Sequence, residues 1–374
     1  MAGLGSISWN HRREWCRSAA PFDGSIRESV DPRRGQEDEI PFMAAPWSHA
    51  IKSLEPEGKS WFYCQMASAV SIPIGTVIRP GSDPATSLEG FPEGFQCYQL
   101  VWALKHCGHV PDLLPQAGAV REAAAARGAV ISALGVYGNP LREDEAGDTA
   151  RDGLRRAILA ARSYGTGVVG CFAGRVAGAS VPDSVPRFRE VFGEFARMAE
   201  GEGVRLAFEH CLQGGNWERG ETNMAFHPAA WELMFDAVPS GALGLEWEPC
   251  HLRCQLIDPL PVLDRFLTRI FHVHGKDGQL NPELLSRSGT HGPEPVVRHR
   301  FPGLGDTDWT VIFQKLAAGG YRGTVDIEGG HDPVFRGGRE MEGQADALAY
   351  LQRCRRAAPF TGIPSASPSL AGSP

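Results

Sequence analysis

VRLAFEH (204–210), ALGLEWE (242–248), RIFHVHG (269–275) and GTVDIEG (323–329) share one grammar. Each is short, rich in branched and aromatic residues as strands are, and carries a carboxylate or an imidazole at or near its end: Glu209, Glu248, His274 and Glu328. Runs of helical periodicity separate them at 228–237, 259–268 and 309–319. Strand and helix in alternation mark βα units joined into a parallel sheet. Upstream the pattern continues with strands IPIGTVI (72–78), GFQCYQLVW (94–102), AVISALGVY (129–137) and GVVGCFA (167–173). Helices are expected at 116–127, 151–164 and 184–201, and a last one at 339–354. The helix at 184–201 is expected to start on Asp183 or Ser184 as N-cap, with Phe188, Val191, Phe192, Phe195 and Met198 on a core face. Eight strands with right-handed crossovers close into an α/β (β/α)₈ TIM barrel whose active site lies at the strands' C-terminal ends.

The bulk numbers set the frame. A chain of 374 residues with 42% hydrophobic content buries one large core, since such barrels need about 250 residues. The barrel is placed at 71–356, between a weakly patterned extension at 1–70 and a Pro/Ser-rich tail at 357–374. Met66, opening MASAVSIPIGTVIRP, is an alternative start. The net charge of −7 offers no general attraction for nucleic acid or an anionic membrane, so a small-molecule partner is expected. Nine cysteines without a CxxC pair read as reduced thiols, none of them a ligand. MAGLGSISWNHRREW (1–15) lacks the apolar core of a signal peptide, and no apolar run reaches the roughly 18 residues of a membrane helix. The expected location is the cytoplasm.

Consecutive parallel strands are neighbours, so Glu209, Glu248, His274 and Glu328 can converge above the barrel mouth. Three carboxylates and one imidazole form a hard, oxygen-rich site suited to Mn²⁺ first, or to Mg²⁺ or Co²⁺. Glu246 and His272 lie two residues upstream on the same strand faces, and strand phase alone does not choose between the members of each pair. The later residue is preferred as ligand and the earlier is read as a supporting or hydrogen-bonded core group.

VRLAFEHC, GLEWEPCH, FHVHGKD and PGLGDTDWTVIFQKLAAGGYRGTVDIEGG resemble the xylose isomerase-like barrels of the sugar phosphate isomerase/epimerase family, over about residues 70–356. The family pattern places a Glu after strand five, Asp-x-x-His after strand six, a His followed closely by Lys-Asp after strand seven and a Glu after strand eight. Residue by residue these fall on Glu209, on Glu248 with His251, on His274 with Lys276 and Asp277, and on Glu328. Glu248 departs from the pattern by one methylene, which must move the metal or change how the carboxylate binds it. The resemblance implies a metal-dependent sugar isomerase or epimerase working through an enediolate. Glu209 and Glu328 would then serve as acid/base groups as well as ligands, and His251 would bond a substrate oxygen. A lyase that eliminates the C1 substituent of a 3-keto glycoside uses the same enolate and is the competing reading.

The remaining expectations are local. Lys276 and Asp277 either orient substrate or form a solvated ion pair. The stretch 278–306 is too long for an ordinary connection and reads as a lid or binding loop, in which Arg298, His299 and Arg300 could hold an anion. QGGNWERGETN (213–223) offers Asn216, Trp217 and Glu218 to a sugar. An apurinic-site endonuclease would need further ligands at the ends of strands two to four, where Trp102, Tyr137, Asn139 and Phe172 stand instead. A sugar-binding barrel without chemistry could have lost Glu209 or Glu328, and both are present. Barrels of this sort often pair into homo-oligomers, though no surface stripe in the sequence argues for one.

Overall fold

The computed structural model describes residues 71–358. Seven strands come first: β1 (Ile74–Ile78), β2 (Cys97–Ala103), β3 (Val130–Tyr137), β4 (Val168–Cys171), β5 (Arg205–Glu209), β6 (Leu243–Trp247) and β7 (Ile270–Gly275). A two-stranded antiparallel ribbon, β8 (Asp277–Leu280) with β9 (Val297–Arg300), precedes the last barrel strand, β10 (Val325–Ile327). β1 pairs in parallel with both β10 and β2, so the eight-stranded sheet closes and leaves no edge. This is the (β/α)₈ TIM barrel expected from the alternation, with every expected strand present.

Helix boundaries differ where caps decide them. The helix expected at 184–201 runs Val181–Glu202, because Ser180 accepts the Asp183 N–H and Pro182 in the first turn needs no partner for a missing N–H. The helix expected at 151–164 is Glu145–Ala160 followed by a 3₁₀ turn, capped by Asp144 with Glu145 and Asp148 in its first turn, where negative charge suits the helix dipole. Phe188, Phe192 and Phe195 are buried, and the Phe192 ring meets Phe208 of β5 edge-on at 4.9 Å. Each buried ring contributes roughly 2 kcal/mol by removal from water. The stretch 278–306 is not a plain loop: it carries the β8–β9 ribbon and helix Pro282–Ser288. The extension at 1–70, the alternative start at Met66 and the tail from 359 onward lie outside the described residues. No helix among the described residues is long and apolar enough to cross a membrane.

The barrel interior beneath the mouth is polar. His272 Nε2 lies 2.6 Å from Asp326 Oδ2 and its Nδ1 2.9 Å from Glu246 Oε1, and, against the burial that opposes it, these two carboxylates raise its affinity for a proton. Ser132 and Cys97 also donate to Asp326, and Gln99 and Tyr137 donate to Glu246. A Cβ on Gly170 would fall 2.7 Å from Glu246 Oε1 and 2.9 Å from the Tyr137 hydroxyl, so β4 requires glycine there to admit this carboxylate.

Candidate functional site

A cavity of about 440 Å³ opens at the C-terminal ends of the strands. Its lining includes the apolar and aromatic Val77, Val101, Tyr137 and Phe172 together with Glu209, His251, His274, Lys276 and Glu328. Glu209 ends β5, His274 sits near the end of β7 and Glu328 directly follows β10. Parallel pairing therefore brings together residues that are far apart in the chain. Glu209, His274 and Glu328 each offer one ligand atom within 4.8 Å of the others.

Glu248 stands outside that triplet. It lies one residue past β6, as the N-cap of helix Pro249–Cys254, where its N–H donates to His210 Nε2 at 2.9 Å. Burial pushes the His210 imidazole down to about 3 and keeps it the neutral acceptor this bond needs. Glu248 Oε1 is 2.7 Å from His251 Nε2 and Oε2 is 3.9 Å from Lys276 Nζ, yet neither oxygen receives an aligned hydrogen bond. Lys276 Nζ also contacts Glu328 Oε2 at 3.0 Å. Lys276 is 2% exposed, so it is a buried ammonium and not half of a solvated ion pair.

Burial alone would favour neutral groups, but here charge competes with it. Burial raises the Glu209 carboxyl above its usual range against the opposing pull of His251. Glu328 is held well below that range because Lys276 and the His274 and His331 contacts outweigh burial. The reverse holds for the bases: burial opposes charging of His251 and His274, while Glu248 for the first, and Glu246 with Glu328 for the second, raise both well above the ordinary imidazole. The cluster carries an excess of negative charge that recruits protons onto its imidazoles.

That excess is what a cation would relieve. His274 Nε2 faces Gln99 Oε1 at 2.8 Å, leaving a buried Nδ1 with no hydrogen-bond partner, 3.5 Å from Glu328 Oε2. The orphaned Nδ1 and the carboxylates of Glu209 and Glu328 form a hard N/O donor set that could hold a divalent ion, and the two orphaned oxygens of Glu248 lie outside that triplet. Glu246 and His272 are not part of it: they lie one layer deeper, where Glu246 also contacts His274 Nε2 at 3.2 Å and helps to orient the ring.

Four expected substrate contacts are not brought to the cavity wall. Asp277 is buried and turned inward, accepting the Gly278 and Thr307 N–H groups at 2.8 and 3.2 Å. Arg300 donates from Nε to Asp332 at 2.8 Å and from Nη1 to Gln279 at 2.7 Å, bonds that hold the ribbon. Asn216 accepts the Glu218 and Arg219 N–H groups to shape its own turn. Trp217 packs edge-on against His227 at 5.9 Å. In their place the wall includes Arg79, Cys211 and His331, none of them singled out from sequence, and His299, which the sequence reads as able to hold an anion. His331 Nε2 is 3.0 Å from Glu328 Oε1. Its spacing gave a usable signal, because Glu328-x-x-His331 repeats Glu248-x-x-His251.

The chain belongs to the xylose isomerase-like TIM barrel family, whose profile matches residues 93–354. Among curated proteins it is 27% identical over 150 residues to the inosose dehydratase of Lactiplantibacillus plantarum, covering 39% of this chain and 47% of that one. It is 32% identical over 140 residues to the rhizopine catabolism protein MocC of Rhizobium meliloti, covering 37% of this chain and 40% of that protein. The chain thus spans about half the length of the curated relatives it matches. Among solved structures, 3-keto-D-glucoside 4-epimerase YcjR from E. coli superposes with a TM-score of 0.55 at 15% identity, over 76% of this chain and 100% of that one, a likeness of fold.

Proposed function

We propose that this barrel is a divalent-metal-dependent enzyme that removes the proton next to the carbonyl of a sugar-like ketone and then expels a β-hydroxyl as water, as the name inosose dehydratase describes for a relative. The observation that carries the reading is the convergence of Glu209, His274 and Glu328 on the cavity wall, with His274 Nδ1 buried and unpartnered. When held by these three residues together with Glu248, an ion such as Mn²⁺, Mg²⁺ or Co²⁺ would supply the positive charge that acidifies a C–H bond beside a carbonyl. Glu328, kept ionised beside Lys276, takes the proton, and the C–H electron pair moves toward the carbonyl oxygen. Its return expels the β-hydroxyl, which takes a proton from the His251 imidazolium and leaves as water. Phe172 and Tyr137 also line the cavity and bring apolar ring surface to it.

Epimerisation is the second reading, favoured by Glu209: burial raises its carboxyl's affinity for a proton against the pull of His251, which suits a group that returns a proton to carbon. Among the described residues, none at the ends of β2, β3 or β4 joins a group of clustered ligand atoms, which leaves the endonuclease reading without support. The test incubates the Mn²⁺-loaded chain with inosose and a panel of ketoses in heavy water. Expected are deuterium exchange and an eliminated diketone, both lowered about 10²- to 10⁴-fold in Glu328→Gln. An epimer formed without water loss selects the second reading. Metal-loaded protein that neither exchanges nor converts any of these substrates refutes both.

A further inference from the structure

We propose a second cation site, for a thiophilic divalent ion such as Zn²⁺, formed by Cys250, Cys254 and His299. The three donors come from two elements that the sequence separates. Cys250 and Cys254 lie four residues apart on helix Pro249–Cys254, spacing that stacks their side chains on one face. His299 comes from β9, in register with Gly278 of β8. One atom of each residue lies within 4.8 Å of the other two, and Cys254 Sγ is 3.4 Å from His299 Nε2. A tetrahedral zinc ion with its usual bond lengths to sulfur and nitrogen separates two such ligands by about 3.5 Å. The sulfur–nitrogen pair is therefore already spaced for the ion.

The chemistry of this group differs from that of the mouth. Two thiols and an imidazole are a soft set that selects Zn²⁺ over Mn²⁺, whereas the Glu209–His274–Glu328 set is hard. Cys250 is fully buried, and Cys254 and His299 are half-buried. Binding would take both sulfurs as thiolates, releasing whatever thiol protons they carry, and leave a fourth position for water. It would also clamp the ribbon onto the helix that begins directly after Glu248 and carries His251. This inference stands independently of the reaction proposed above. The ordinary alternative is two free thiols, Cys250 buried and Cys254 packed against Leu284, Val296 and Val297.

The test uses the full chain, reduced, stripped with a chelator, reloaded with Zn²⁺ or Co²⁺ and freed of excess ion. Wild type is expected to retain about one equivalent of zinc more than Cys254→Ser or His299→Ala, whatever the mouth of the barrel holds. With Co²⁺, wild type should show thiolate-to-cobalt absorption that is absent in those two variants and kept in Glu328→Gln and Cys211→Ser. Circular dichroism checks folding, and His299→Ala decides the matter if the serine variant does not fold. Zinc content unchanged in the variants, absorption that follows Cys211 instead of Cys254, or an unreduced mass showing Cys250 and Cys254 joined as a disulfide would each overturn the proposal.

Discussion

Replacing Glu246 by Gln keeps its shape and removes its charge from the centre of the barrel. Oε1 is 2.6 Å from Gln99 Nε2, 2.9 Å from His272 Nδ1 and 3.2 Å from His274 Nε2, and Oε2 accepts from Tyr137. Every one of these neighbours presents a donor. A carboxamide has one acceptor oxygen and one donor nitrogen, so at least one buried donor would face an N–H₂ group. Leaving a buried donor unsatisfied costs about 1–3 kcal/mol, and removing one member of a buried ion pair about 3–5 kcal/mol. The two costs overlap at the His272 contact, so a destabilisation of about 3–5 kcal/mol is expected, large against a typical domain stability of about 5–15 kcal/mol. Glu246 is not one of the proposed ligands, but it orients His274. Loss of such a partner typically weakens metal affinity about 10- to 100-fold. Urea denaturation in chelator measures the first effect and Mn²⁺ titration by calorimetry the second. A stability loss below about 1 kcal/mol together with Mn²⁺ affinity within about twofold of wild type would refute the reasoning.

Lys276→Met leaves Glu248 and Glu328 buried without their shared ammonium. Without metal, stability should fall by about 3–5 kcal/mol. Because a divalent ion would relieve the same charge, Mn²⁺ should raise the melting temperature more in the variant than in wild type, and equal shifts would sink the idea. Asp332 accepts from the Phe301, Val334 and Phe335 N–H groups and from Arg300. Although burial opposes ionisation, these bonds hold its carboxyl below the ordinary range. The stability it contributes is therefore complete above the unfolded carboxyl's value, about 4, and is lost as pH falls through the lower folded value. The stability difference between wild type and Asp332→Asn should stay constant from pH 7 to about 5 and shrink below about 4; a difference that does not change with pH would refute it.

Strands and most helices were legible from sequence because their signal is local: composition and period 2 mark the eight strands, and period 3.6 marks the helices between them. The cap at Ser180 was missed because Asp183 and Ser184 are equally good N-cap types, and only the bond from the Asp183 N–H to the Ser180 hydroxyl oxygen separates them. Glu209, His274 and Glu328 could be nominated from strand ends alone, since a parallel barrel places all strand ends on one rim. Glu248 is preferred over Glu246 from sequence, by its place nearer the mouth and its spacing to His251, and the structure adds what surrounds each. Both share a strand phase, but Glu246 is enclosed by Gln99, Tyr137 and His272, from three other strands, whereas Glu248 lies beyond the strand. What surrounds each residue also decides the substrate contacts. Asp277, Arg300, Asn216 and Trp217 have the right chemistry and the right neighbourhood in the chain, yet Thr307, Asp332, Arg219 and His227 occupy them. The sequence by itself determined the barrel, its rim of carboxylates and imidazole and the hardness of that donor set. Which polar side chains face the cavity and which are already spoken for depends on partners tens or hundreds of residues away, and only tertiary packing brings those partners into reach.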